Sequence, residues 1–148
     1  PLYSSAASDV YKRQAFITRE ILKEGLDRFL KFRNLNLVIE NAGGKTGTTN
    51  DARDTWFVGY AENIIASSWV GKDDGSTLGD EQFGSSNALP IWLDFMNNSI
   101  DLLDETTFVI PEDITLVRID KNTGKVASTF DNAIFEYFLD DDLKDILN

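Results

Sequence analysis

The stretch from Gly43 to Gly71 constrains the fold of this chain more than any other. Thr55 to Ala61 and Ile64 to Gly71 are runs rich in aromatic and β-branched residues, and only the short polar turn Ala61-Glu62-Asn63 parts them. A connection that short makes neighbouring strands run antiparallel. Ahead of them, Gly43-Gly44 frees the backbone for a third strand over about Gly44 to Thr49, and Asn50 to Asp54 is a polar connection of hairpin length. The expectation is a three-stranded antiparallel meander.

Helices are expected on either side of it. Ile17, Ile21, Leu22, Leu26, Phe29 and Leu30 recur at helical spacing with Arg19, Glu20, Lys23, Glu24 and Asp27 between them, which predicts a helix from about Ala15 to about Phe32. Leu35 to Glu40 reads as a short edge strand or a loop insertion, and Lys72 to Ser86, rich in Gly, Ser and Asp, as a loop. Asn87 is placed to cap a helix with Pro90 in its first turn. Ala88, Ile91, Trp92, Phe95 and Met96 would then form one apolar face that covers the sheet. Past Asp101, Ile114 to Ile119, the turn Lys121-Asn122-Thr123-Gly124 and Val126 predict a small β-hairpin. Ile134 to Asn148 reads as irregular with a last short helix. The class this describes is α+β, antiparallel strands covered by helices, with no internal repeat.

A chain of 148 residues with 42% hydrophobic residues is long enough for one domain. Its formal charge is −11, with the acid concentrated from Asp101 through Asp145. Such a surface repels phosphate backbones, so nucleic acid is not expected as a partner, and the acidic run reads as a solvated face. Cysteine and histidine are absent. That excludes disulfides, thiolate catalysis, zinc sites built on Cys or His and every triad that uses imidazole, and no metal or cofactor is expected. Absence of cysteine fits an oxidising compartment. No apolar run approaches the roughly 18 residues of a membrane span, so any anchor is expected outside this sequence.

Ser4 to Gln14, Ser-Ser-Ala-Ala-Ser-Asp-Val-Tyr-Lys-Arg-Gln, is what a common transposase-based sequencing adaptor gives when translated in frame. Residues 1–14 are therefore expected to be an adaptor artefact and are set aside from the reading of the fold. The chain does not begin with Met, and Met96 is its one methionine. The natural start is expected upstream.

The chemistry concentrates in Gly43-Gly44-Lys45-Thr46-Gly47-Thr48-Thr49-Asn50-Asp51. Lys-Thr-Gly by itself is a weak string. Here it is followed in order by Asp54-Thr55-Trp56-Phe57-Val58-Gly59-Tyr60, Trp69-Val70-Gly71-Lys72-Asp73-Asp74, Pro90-Ile91-Trp92 and Ile119-Asp120-Lys121-Asn122-Thr123-Gly124. Together these resemble the penicillin-recognising serine acyltransferases, and among them the class A penicillin-binding proteins, over nearly all of Ala15 to Phe138. The resemblance implies the C-terminal portion of a transpeptidase domain of serine β-lactamase-like fold over 15–100, and a C-terminal extension with a small hairpin and acidic tail over 101–148.

It also implies roles. Lys45 supplies a fixed positive charge for an anionic substrate terminus and polarises the site. Thr46 and Thr48 hydrogen-bond the substrate carboxylate, Gly47 lets a peptide lie close, and Thr48 N–H serves the oxyanion. The implied partners are peptidoglycan stem peptides and β-lactam antibiotics, and the implied location is the periplasmic face of the bacterial inner membrane. Ala61-Glu62 stands where the family usually has Thr-Pro, and Asn34 to Glu40 has no clear family pattern. The family's Ser-x-x-Lys nucleophile motif occurs nowhere in the sequence. Ser85-Ser86-Asn87 matches the Ser-x-Asn string but follows the Lys-Thr-Gly strand, and is read as a helix start without a catalytic role. Trp56, Trp69 and Trp92 read as core or sheet-face packing.

Four other readings compete. A phosphate loop requires glycine five residues before Gly44, where Ile39 stands, and is rejected. A calcium loop at Asp120 to Gly124 has its glycine one position early and is better explained as a hairpin turn. A serine β-lactamase-like hydrolase is the nearest rival, against which the Thr48-Thr49-Asn50-Asp51 continuation and the Trp56-Phe57-Val58-Gly59-Tyr60 strand look like transpeptidases, and a catalytically silent scaffold of the same fold is an alternative to be decided by the presence of an upstream Ser-x-x-Lys.

Overall fold

The computed structural model describes residues 2–104 and 107–146, with side chains over 9–104 and 107–144. Pro1, at the head of the expected adaptor segment, and Leu147 and Asn148, at the end of the stretch expected to be irregular, lie outside the described residues. The chain falls into two compact units, residues 19–107 and residues 1–18 with 108–148.

One helix, α1 (Leu2–Arg33), contributes to both. Its start was expected near Ala15, and the structure carries it back to Leu2. Between those points no Gly or Pro interrupts the chain, and once the amphipathic part is nucleated each added residue gains a hydrogen bond at little cost. The end is sharply made. Asn34 takes a left-handed conformation (φ 52°), and Leu35 N–H donates to Leu30 O at 2.9 Å, the closure that satisfies a terminal helix carbonyl.

In the unit of residues 19–107, β1 (Ala42–Thr48), β2 (Asp54–Ala61) and β3 (Ile64–Gly71) form an antiparallel sheet in the order β1-β2-β3. This is the expected meander, with β2 and β3 joined by the two-residue turn Glu62-Asn63. Along β2 the side chains alternate: Thr55, Phe57 and Ala61 are buried, whereas Trp56 and Val58 are exposed. The buried face is covered by α2 (Ala88–Asn98). Its core contains Leu26 from α1, Ile39, Ala42, Phe57, Ala61, Leu89, Trp92, Leu93 and Met96. Phe57 and Trp92 meet with ring centroids 5.0 Å apart. Two polar ties fix α2 on β3, Ser68 Oγ to Ala88 O at 2.7 Å and Trp92 Nε1 to Ala66 O at 3.2 Å.

Two expectations are corrected in this unit. The buried face of α2 is Ala88, Leu89, Trp92, Leu93 and Met96, while Ile91 and Phe95 are half exposed. Asn87 stands at the helix start but makes no side-chain capping bond. Of the three tryptophans only Trp92 is in the core. Trp56 and Trp69 lie exposed on the sheet face away from α2, with ring centroids 6.4 Å apart. The ambiguous stretch after α1 is not a strand. Asn97 pairs with it as a backbone would, accepting from Val38 N–H at 3.2 Å and donating to Asn36 O at 3.1 Å.

In the other unit, β4 (Ile114–Asp120) pairs antiparallel with β5 (Ala133–Leu139), and α3 (Leu143–Ile146) follows. The expected turn is present: Asp120 Oδ1 accepts from Asn122 N–H, Thr123 N–H and Thr123 Oγ at 2.8–3.0 Å, and Gly124 has φ 70°. Past it, though, Val126 makes only a single bridge to Ile119. The main partner of β4 is β5, within the segment expected to be irregular, and Phe16 of α1 packs edge-on against Tyr137 of β5 at 5.0 Å.

Candidate active site

Among the described residues, β1 bonds to β2 and has no strand on its other side. Its register pairs Lys45 with Val58, Thr46 with Phe57, Gly47 with Trp56 and Thr48 with Thr55. Antiparallel partners share a face, so Thr46 and Thr48 stand on the side of the sheet that α2 covers, and Lys45 on the opposite side. Thr49 N–H donates to Asp54 O at 3.1 Å and Glu62 N–H to Asn41 O at 3.0 Å. Those bonds mark residues 41 and 49 as turned toward β2. Because the ladder alternates, Thr46 and Thr48 turn their own N–H and C=O to the open side.

Lys45 is exposed, and its Nζ reaches Thr46 O at 2.9 Å and Thr46 Oγ1 at 3.4 Å. The ammonium thus sits over the open edge of the strand, held by a carbonyl that itself faces outward. Thr48 Oγ1 accepts a hydrogen bond from Gly84 N–H at 3.1 Å. The strand end is closed by Thr49, whose Oγ1 accepts from Asp54 N–H at 2.9 Å. The segment after β3 folds back onto the same corner, with Thr77 Oγ1 on Asp51 O at 2.7 Å and Leu78 N–H on Ala52 O at 2.9 Å. Backbone amide, ammonium and hydroxyls are therefore gathered at one strand edge, where an extended chain with an anionic end would find donors along its length.

Glycine shapes the strand from beneath. Gly44 and Gly59 are directly opposite each other. A Cβ on Gly44 would stand 2.5 Å from Phe57 Cζ, and one on Gly59 would stand 2.7 Å from Phe57 Cε1 and 2.9 Å from Trp92 Cζ2. The paired glycines let the two core rings press directly against backbone, and this seats the motif strand on the core.

Ser85 is buried and accepts from Arg33 Nη2 at 3.3 Å. Ser86 Oγ closes its own turn on Phe83, accepting from Phe83 N–H at 3.0 Å and lying 3.0 Å from Phe83 O. Both hydroxyls serve the chain reversal ahead of α2. Gly84 was missed in the sequence, since nothing distinguishes it among the glycines of a Gly- and Ser-rich loop. Its signal is the immediate approach to β1.

Comparison with known proteins bears on what this edge belongs to. Over 137 residues the chain is 37% identical to penicillin-binding protein 1A of Pseudomonas aeruginosa, covering 92% of this chain and 17% of that protein. Over 84 residues it is 45% identical to penicillin-binding protein 1A of Rickettsia felis, covering 57% of this chain and 11% of that protein. The crystal structure of penicillin-binding protein 1A from Haemophilus influenzae superposes with a TM-score of 0.72 at 26% identity, over 86% of this chain and 20% of that one. This chain belongs to the penicillin-binding protein 1A family. It spans about a tenth to a fifth of the length of these relatives. No protein-family model matches it. Within the penicillin-binding proteins its α+β fold, antiparallel strands covered by helices, is part of the transpeptidase domain.

Proposed function

We propose that the chain supplies the substrate-binding strand of a peptidoglycan D,D-transpeptidase whose nucleophilic serine lies in sequence outside it. In that reading residues 15–100 belong to the transpeptidase domain, 101–148 are an extension, and 1–14 are not native. The serine attacks the carbonyl between the two terminal D-alanines of a stem peptide. An ester to the enzyme forms, the amide C–N bond breaks, and D-alanine leaves as an amine with the proton taken from the serine. The amine of a neighbouring stem peptide then attacks the ester, a new amide forms, and the serine regains its proton.

Four residues carry the strand's share of this. Lys45 sets a positive charge beside the anionic terminus. Thr46 and Thr48 offer hydroxyls to the carboxylate, Gly47 leaves room for the peptide to lie on the strand, and Thr48 N–H faces the oxyanion. β-Lactams are amides with an adjacent carboxylate and would be held the same way. The observation that supports this best is the register of β1, an open edge with the Thr48 amide turned outward and the Lys45 ammonium above it. No helix among the described residues is long and apolar enough to cross a membrane. Placement at the periplasmic face through an anchor outside this chain belongs to the same proposal.

The test is acylation of the full-length enzyme by a fluorescent penicillin. Lys45→Ala should slow it by about 10²–10³, the range for removing one preorganised group that stabilises the transition state. A rate within a few-fold of the parent, with the fold intact, would refute the role of Lys45.

A further inference from the structure

The loop ahead of α2 returns to the motif strand, and Gly84 makes the nearest approach. A Cβ built on it would stand against the Trp56 carbonyl oxygen, 2.9 Å from Gly47 O and 3.0 Å from Thr46 Cβ. Those neighbours belong to paired strands and cannot swing aside as the end of a long side chain would. Only a residue without a side chain brings its N–H to Thr48 Oγ1 at the observed 3.1 Å. The segment is held from behind by Leu89 N–H on Gly84 O at 2.8 Å and by Asn87 N–H on Phe83 O at 3.1 Å.

A threonine hydroxyl has one proton to give and two lone pairs to receive. Left free, it rotates and presents either to a ligand. Once an N–H occupies one lone pair, the O–H bond points away from that donor, and the hydroxyl keeps its one donor bond and a single further acceptor position. We propose that Gly84 is a positioning residue that orients the Thr48 hydroxyl, turning its O–H away from the loop so that it donates to a carboxylate oxygen at the open edge of β1. This rests on the reading of β1 as the strand that receives the substrate's anionic end. It goes beyond that reading by assigning discrimination between an anionic and a neutral terminus to a loop residue that touches no substrate.

The test compares two probes on the full-length enzyme, a penicillin with its free carboxylate and the methyl ester of the same compound. In Gly84→Ala, acylation by the carboxylate form should fall by about ten- to a hundredfold, the worth of a hydrogen bond to a charged group, while the rate with the ester changes by no more than about twofold. Equal losses on both probes, or no loss on either, overturn the inference. Because Gly84→Ala can fail to fold, hydrogen exchange of the peptide containing Gly84 gives a second measurement in Thr48→Ser and Thr48→Val enzymes. The Gly84 amide should stay protected with Ser and exchange at least about tenfold faster with Val, as expected when a hydrogen bond of this kind is removed. The same rate in both overturns the inference as well. Lys45→Ala separates the two levels: unchanged acylation there sinks the reading of the strand, whereas lost acylation there combined with unselective losses in Gly84→Ala sinks only the role of Gly84.

Discussion

Two glycine-to-alanine substitutions, chemically identical, should change stability in opposite directions. At Gly59 the added methyl would stand 2.7 Å from Phe57 Cε1, 2.8 Å from Gly43 O and 2.9 Å from Trp92 Cζ2, all inside the 3.5–4.0 Å at which carbon atoms pack well. Phe57 and Trp92 are fully buried and hold each other in place, so relief requires the sheet and α2 to separate. Overpacking of this kind costs about 1–3 kcal/mol, and restricting the unfolded chain returns about 0.4–1 kcal/mol. The net is a loss of about 1–2 kcal/mol. At Gly25, inside α1, an added Cβ meets nothing within 4 Å, and alanine should stabilise by up to about 1 kcal/mol. Urea unfolding followed by tryptophan fluorescence reads both. With a slope of about 1–2 kcal/mol per molar urea, Gly59→Ala should lower the midpoint by roughly 1 M and Gly25→Ala should raise it by about half as much. The reasoning fails if Gly59→Ala is neutral, or if both variants shift the midpoint in the same direction.

Other consequences are independent of that pair. The chain by itself should take no covalent label from a fluorescent penicillin, because it holds no Ser-x-x-Lys motif; stoichiometric, stable labelling in a denaturing gel would show that the nucleophile is within it. In the full-length enzyme Ser85→Ala should leave acylation within about threefold, since its hydroxyl makes one long hydrogen bond, at 3.3 Å from the Arg33 guanidinium, and none to the Lys45–Thr48 strand; a folded but inactive variant would contradict the structural role given to it. Burial pushes the Tyr60 phenol up to about 12, against the opposing charge of Arg19. Its folded value lies above the unfolded one of about 10, so the stability it contributes is present below pH 10 and lost as the pH rises to 12. Tyr60→Phe should flatten the fall of stability over that window, as read by urea midpoints. Asp120 has its carboxyl held below the usual range by hydrogen bonds from Thr123 and Asn122; stability from that turn should be lost as the pH falls below about 4, and Asp120→Asn should make the acid limb shallower.

The meander was legible because each strand is short, alternates, and is closed by a local turn, so neighbours in sequence are neighbours in space. The face of α2 was not. Ala88, Trp92 and Met96 define its centre, but Leu89 and Leu93 flank them on one side and Ile91 and Phe95 on the other, all apolar. Periodicity alone cannot choose a flank when both are apolar, and the choice falls to the sheet beneath. β5 failed for a related reason: its residues are nearly all half-buried and Glu136 interrupts the run, so no alternation marks it. The turn at Lys121 to Gly124 is real, yet a local turn says nothing about Asn132, whose left-handed conformation (φ 57°) brings the chain back to pair with β4. In the site, Lys45 to Thr48 was readable as a string, while Gly84 reaches it only through the fold.

The strand proposed to bind substrate is also the one least able to form by itself. Gly43, Gly44 and Gly47 each lower its intrinsic preference for extended structure, and an open edge leaves half of its backbone groups without a strand to pair with. Lys45, charged and exposed on that edge, is what natural sheets place there to discourage edge-to-edge pairing, so on the proposed reading one residue serves both substrate binding and protection of the edge. The strand is then held by its surroundings: the Gly44–Gly59 contact seats it on Phe57, the closure of Thr49 on Asp54 fixes its end, and Gly84 touches it between the two. An edge with strong strand residues of its own would need none of these supports, but it would crowd the space in which the proposed peptide lies. Gly47, which on the proposed reading leaves room for a peptide, and the core-packed Gly43 and Gly44 therefore make the rest of the sheet, α2 and the loop before it responsible for keeping that edge straight.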